Sequence, residues 1–231
     1  MSGITQLKLD QVNKQISEAA ARNFKQKVKL ICVSKTFSSD VIFEAQKFGL
    51  IDFGENYVQE WEEKSKIIKN VNWHFIGRLQ SNKLKNILGK CKFIHSIDRK
   101  ELFLKAVQIC QKEKISQDIL LQVNVANEDS KAGFSKAEVQ EFLPEIFKQT
   151  HLKVVGFMTM PPLQNKPEQN RAHFAKLRNL RDQLKRYSNQ VHTLAELSMG
   201  TSQDFTVAIE EGSTMVRLGT ILLGDRTQES E

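Results

Sequence analysis

The sequence predicts the α/β fold class: a single (β/α)8 barrel of the TIM type, preceded by one extra N-terminal helix. Two patterns carry that reading. Eight short apolar runs rich in β-branched residues alternate with segments of helical periodicity, and none of these is long enough to suggest an inserted second domain. Polar or glycine residues also recur at the C-terminal ends of the runs, from Lys35 and Asn56 to Ser198 and Thr220. An open doubly wound sheet is the alternative, and the lack of a GxGxxG turn after the first run counts against it.

The elements follow in order. Ile4, Leu7, Val12, Ile16 and Ala19 recur at near-helical intervals over residues 4–22, which predicts an amphipathic helix serving as a lid or an outer-layer element. The first strand spans residues 28–34 and runs into Lys35. Ser38 or Ser39 then caps a helix that Gly49 ends. A second strand over 50–53 runs into Gly54-Glu55-Asn56 and a helix carrying Val58 and Trp61. The third, over 72–76, leads through Gly77-Arg78-Leu79-Gln80-Ser81-Asn82-Lys83 to a short helix closed by Gly89, and the fourth, over 93–97, precedes Asp98 as a helix cap.

The fifth strand, over 119–125, is the clearest. The helix beginning near Ser135 contains Pro144, which removes a backbone donor and predicts a kink or a split. A sixth strand over 153–158 leads to a long helix with Phe174, Leu177, Leu180 and Leu184 buried and its arginines and lysines facing water. The seventh, over 194–197, is followed by a loop Ser198-Met199-Gly200-Thr201-Ser202, and the eighth, over 213–218, ends at Gly219-Thr220. Residues 1–224 are thus read as one barrel and residues 225–231 as a polar, disordered tail.

Composition narrows the function classes. The chain has 231 residues, 40% hydrophobic and 26% charged, the profile of an ordinary globular protein. With no signal-like start and no apolar run of membrane-spanning length, the expectation is a cytoplasmic protein that makes no membrane contact. Cys32, Cys91 and Cys110 are far apart and lack metal-ligand spacing, so they read as reduced, buried thiols. A net charge of +7 raises the question of nucleic acid, but the basic residues of 64–92 and 171–186 alternate with acids and amides and no nucleic-acid module accompanies them. They read as solvated helix faces, and the excess equally suits an anionic small molecule.

In a closed barrel the strand C-termini share one mouth, and the loops after strands seven and eight are the usual phosphate site. Here they hold Ser198, Met199, Gly200, Thr201 and Ser202, then Gly219 and Thr220. Glycine admits close backbone approach, hydroxyls donate, and N–H groups at a helix start favour an anion. The same residues are also ordinary turn and cap residues. Lys35 likewise has two readings. It is either a solvated surface lysine or, partly desolvated beside Arg217, an amine of lowered pKa able to form a Schiff base with an aldehyde. An aldehyde and a phosphate together describe pyridoxal 5'-phosphate (PLP).

Several motifs in the same order are similar to those of the pyridoxal phosphate homeostasis protein family. They are Val33-Ser34-Lys35-Thr36, Phe53-Gly54-Glu55-Asn56-Tyr57-Val58-Gln59-Glu60, Trp73-His74-Phe75-Ile76-Gly77-Arg78-Leu79-Gln80-Ser81-Asn82-Lys83, Ile94-His95-Ser96-Ile97-Asp98, Leu197-Ser198-Met199-Gly200 and Gly212-Ser213-Thr214-Met215-Val216-Arg217-Leu218-Gly219-Thr220. The resemblance implies a barrel like the N-terminal domain of alanine racemase with PLP held as an internal aldimine. On matching positions it implies Lys35 as the aldimine lysine, Asn56 along the ring, Arg217 facing the pyridine nitrogen, and Ser198, Gly200, Gly219 and Thr220 in the phosphate loops. Thr201 departs from the pattern, standing where many relatives have methionine. The function implied is storage and delivery of PLP without turnover, with PLP-dependent apoenzymes as recipients and a monomeric state. An amino-acid racemase on the same barrel is the alternative. It is disfavoured because no second domain is expected to supply an opposing acid-base residue, and neither Tyr57 nor Tyr187 has a sequence reason to be one.

Overall fold

A computed structural model describes residues 4–126, 128, 131–162 and 164–224, and the tail expected over 225–231 lies outside them. Eight parallel strands close in chain order: β1 Lys29–Val33, β2 Asp52–Glu55, β3 Asn72–Phe75, β4 Phe93–Ile97, β5 Gln117–Gln122, β6 Leu152–Met158, β7 Glu196–Thr201 and β8 Met215–Leu218. The seam is the pairing of β8 with β1, where Ile31 lies beside Arg217 and Cys32 beside Leu218. Around the barrel run α1 Gln6–Arg22, α2 Ser39–Lys47, α3 Val58–Ile67, α4 Leu84–Ile87, α5 Lys100–Glu113, α6 Lys136–Phe147, α7 Arg171–Lys185, α8 Phe205–Glu210 and α9 Thr220–Leu223.

Alternation along the strands sorts the core into two parts. Residues such as Cys32, Phe53, Phe75, Ile94, Phe157 and Leu197 join the apolar helix faces in one large outer core. Inside the barrel lies a small apolar cluster of Ile31, Phe93, Leu120, Val155, Met158 and Met215. Polar side chains occupy much of the rest. All three cysteines are free and buried, and burial, then the charge of Glu55, pushes the Cys32 thiol up to about 12.

The extra helix α1 is an outer-layer element. Thr5 caps it by accepting the Lys8 N–H, and its far end is tied to α8 by Asn23 Nδ2 donating to Glu210 O at 2.9 Å and by an Arg22–Glu210 ion pair. α6 starts with a capping box between Ser135 and Glu138. It runs through Pro144 to Phe147 without the expected split. Asp98 does not cap α5; it bonds Arg99, which holds the N-cap position.

Two strands extend past their predicted ends. β2 continues through Gly54 and Glu55, and β7 through Ser198, Met199, Gly200 and Thr201. Their Gly-rich polar strings resemble turns, yet a barrel interior accepts small and polar side chains where a partner is present. Basic residues are also less solvated than expected. Lys64 is buried, and Arg171, Arg178 and Arg181 on α7 are largely packed, the first two against Glu210 and Glu211. No described helix is long and apolar enough to cross a membrane.

Candidate functional site

Lys35 stands just beyond the end of β1, half-buried, between a buried Ser34 and a strained Thr36. Thr36 has φ +67°, a left-handed conformation unfavourable for a β-branched residue. Strain of this kind persists only where neighbours over-determine it. Here they do. Glu60 Oε1 accepts the Thr36 N–H at 2.5 Å, and Lys64 Nζ donates to Ser34 O, Glu55 Oε1 and Glu60 Oε1, each at 2.7 Å. Ser34 Oγ adds a 2.7 Å bond to Glu55 Oε1. The peptide groups on both sides of Lys35 are therefore gripped by one buried ionic cluster.

Within that cluster Glu55 has no exposed surface, and its Oε2 has no hydrogen-bond partner among the described residues. Burial raises its pKa, against the opposing pull of Lys64. All three ammonium protons of Lys64 have acceptors, which is the condition for burying a lysine.

The strand order places the other expected residues on one arc, β7–β8–β1–β2. Asn56 follows β2, half-buried. Thr201 ends β7 and Ser202 follows it, while Gly219 and Thr220 follow β8. The two loops are stitched together, since Ser202 Oγ accepts the Gly219 N–H at 3.2 Å. Asp204 Oδ1 accepts both the N–H of Thr201 at 2.7 Å and its hydroxyl at 3.1 Å. Gly200 makes the bend possible. Its φ is +94°, and a Cβ there would lie 2.6 Å from the Ala208 Cβ, so no other residue fits.

Two expected loop residues sit elsewhere. Ser198 and Met199 lie inside β7: Met199 is buried in the outer core, and the Ser198 hydroxyl is spent within the barrel on Arg217 and His95. Arg217 is itself buried. Its Nη1 donates to Ser198 Oγ at 2.6 Å and its Nη2 to Thr159 O at 3.0 Å, both neutral acceptors. Burial lowers its pKa to about 10, with Asp204 acting in the opposite direction. It remains a cation at pH 7, and among the described residues no carboxylate is bonded to it.

Sequence reasoning assigned no role to His74 and His95, although both lay in quoted motifs. Both have no exposed surface. Burial lowers both pKa values, partly offset for His74 by Asp52 and reinforced for His95 by His74 and Arg217. The stability consequence has a definite sign. A histidine depressed in the fold is neutral there but takes up a proton when unfolded below its ordinary pKa, so unfolding binds protons in that window. Stability is expected to be flat above pH ~6.5 and to fall below it by about 1 kcal/mol per pH unit for each such histidine. Urea midpoints between pH 8 and 5 check this; a flat profile would mean that the pair is accessible to protons in the fold.

A groove of about 850 Å³ opens beside Asn56, at the ends of β2 to β4. Arg78, Lys83 and Arg99 line it, which favours anions near the mouth. Neither Lys35 nor Arg217 is part of its lining.

Comparison with known proteins adds independent findings. Residues 7–227 match the family described as alanine racemase, N-terminal domain. The pyridoxal phosphate homeostasis protein of Aquifex aeolicus is 46% identical over 200 residues, covering 86% of this chain and 87% of that protein. The protein of the same name from Synechocystis is 38% identical over 202 residues, covering 86% and 92%. Among solved structures, PipY of Synechococcus elongatus with PLP bound superposes with a TM-score of 0.77 at 32% identity, over 90% of this chain and 100% of PipY. Alanine racemase from Corynebacterium glutamicum has a TM-score of 0.72 at 11% identity, which is likeness of fold alone; this chain spans 66% of it.

Proposed function

Because the chain belongs to the pyridoxal phosphate homeostasis protein family, built on the alanine racemase N-terminal barrel, we propose that it carries PLP covalently on Lys35. In this reading it stores and delivers the cofactor without turning over a substrate. The recipients are PLP-dependent apoenzymes, and the carrier acts as a monomer.

The observation that carries the reading is the β7–β8–β1–β2 arc, with an amine, a buried cation and two stitched loops at one end. The donor set fits the cofactor. Lys35 offers an amine for an aldehyde. The loop residues Thr201, Ser202, Gly219 and Thr220 offer hydroxyls and backbone N–H groups for a phosphate. Asn56 borders the ring position. Gly200 contributes its bend, whereas Ser198 and Met199 contribute by supporting Arg217 and the outer core.

Bound PLP supplies an electrophilic aldehyde and an electron-withdrawing ring. Arg217 would weaken that ring as an electron sink, because a guanidinium only donates and keeps its proton, and a pyridine nitrogen held against it would stay unprotonated. The Glu55–Lys64–Glu60 cluster holds the backbone around Lys35 and gives its amine a fixed origin. Tyr57 and Tyr187, the chain's two tyrosines, are exposed rather than poised as an opposing acid or base.

The carrier reading is tested by incubating PLP-loaded protein with a panel of amino acids and following their optical rotation. The expected result is no racemisation above a Lys35→Ala control, together with transfer of PLP to an added PLP-dependent apoenzyme. Sustained turnover by the wild-type protein alone would establish the racemase instead.

A further inference from the structure

Behind Arg217 a file of polar side chains crosses the barrel interior. Arg217 Nη1 lies 2.6 Å from Ser198 Oγ, Ser198 Oγ lies 2.9 Å from His95 Nδ1, and His95 Nε2 lies 3.0 Å from His74 Nδ1. His74 Nε2 lies 2.9 Å from Asp52 Oδ1, which also accepts from Asn72 Nδ2 at 3.1 Å and has Lys29 Nζ at 3.7 Å. The file joins β8, β7, β4, β3 and β2, so its members come from positions 52 to 217.

Both rings are fully buried, which favours the neutral form, and with one proton on each ring the direction of every bond follows from both ends. Arg217 has only donors, so Ser198 Oγ accepts from it, and the one hydroxyl hydrogen is left for His95 Nδ1. An ionised Asp52 has only acceptors, so His74 Nε2 carries the proton and His74 Nδ1 is the acceptor. His95 Nε2–H then donates to it. The two deductions meet between the rings without conflict, and each neutral imidazole carries its proton on Nε2.

We infer that Asp52, His74, His95 and Ser198 are positioning residues: a one-way hydrogen-bond chain that fixes the orientation of the Arg217 guanidinium and leaves its remaining N–H groups directed to the ligand. The chain links a cation to a distant carboxylate through neutral groups. Among the described residues Arg217 thus bonds no anion, whereas in an ordinary Arg–Asp pair its N–H groups would be committed to the carboxylate. The depressed pKa values of both histidines agree with neutral rings. The chain is a property of the protein alone; its effect on PLP rests on the proposed function.

The test uses uniformly 15N-labelled, cofactor-free protein at pH 7. Long-range histidine spectra are expected to show His74 and His95 neutral and protonated at Nε2, and the Arg217 Nη signals are expected to be separate because rotation about Cζ–Nη is restricted. An imidazolium, or an Nδ1–H tautomer at either ring, overturns the proposal in the wild-type protein without any mutation. Ser198→Ala should merge or broaden the Arg217 Nη signals, and Ser198→Thr, which keeps the hydroxyl, should restore them. Arg217 signals unchanged in a folded Ser198→Ala protein would also overturn it. With PLP loaded, Ser198→Ala is expected to shift the absorption maximum while Lys35 stays modified. If only the PLP reading is wrong, the cofactor-free signals remain as stated and only this shift is lost.

Discussion

Lys35→Ala is expected to abolish covalent attachment of PLP while leaving the barrel folded. The side chain is half-buried at the barrel mouth, and the cluster that shapes its surroundings grips the backbone of Ser34 and Thr36, which the substitution leaves in place. Phosphate contacts from the loops after β7 and β8 would survive, so residual binding should be non-covalent and weaker by on the order of 100-fold. Equilibrium dialysis and the visible absorption of protein mixed with PLP measure both parts. A variant that binds as tightly as wild type, with the same visible band, would place the attachment elsewhere.

The second large effect is on stability. In Lys64→Met the buried Glu55 loses its counter-ion and keeps only Ser34 as a partner, while Glu60 and Ser34 O lose a donor. Removing one member of a buried pair costs about 3 to 5 kcal/mol, a large fraction of the roughly 5 to 15 kcal/mol that holds a domain together. Urea unfolding at pH 7 should show that loss. Adding Glu55→Gln should recover much of it, since the uncompensated charge is then gone. A loss below ~1 kcal/mol would show that the cluster is hydrated in solution. The same variant should attach PLP more slowly, because Thr36 at φ +67° is held by a Glu60 that Lys64 no longer orients.

Much of the barrel was legible because short apolar runs rich in β-branched residues and helical stripes are local signals. The Phe93–Ile97 strand needs no tertiary information, nor does the buried stripe of Phe174, Leu177, Leu180 and Leu184. The extensions of β2 and β7 were not legible. Gly54-Glu55 and Ser198-Met199-Gly200-Thr201 have the composition of turns, and only pairing with strands distant in sequence makes them strand, while Lys64 and Arg217 satisfy the polar side chains this buries. Lys64 itself reads as one solvated lysine among many, because its burial depends on Glu55 nine positions earlier.

The site divides the same way. Lys35, Asn56, Ser202, Gly219 and Thr220 were readable as strand-end residues, and the topology gathers them on one arc. Their supports were not readable. His74 and His95 carried no chemical role until the register set them 3.0 Å apart between Asp52 and Ser198. Glu55 and Glu60 looked like loop and helix-surface acids until Lys64 tied them to the backbone around Lys35.

The central claim is that a single lysine at the end of β1 carries the cofactor. Borohydride reduction of the PLP-loaded protein, followed by peptide mass spectrometry with the modified residue mapped, tests it most directly. The account predicts one reduced pyridoxyl-phosphate adduct, on Lys35; no adduct, or an adduct mapped to another lysine with Lys35 unmodified, would contradict it.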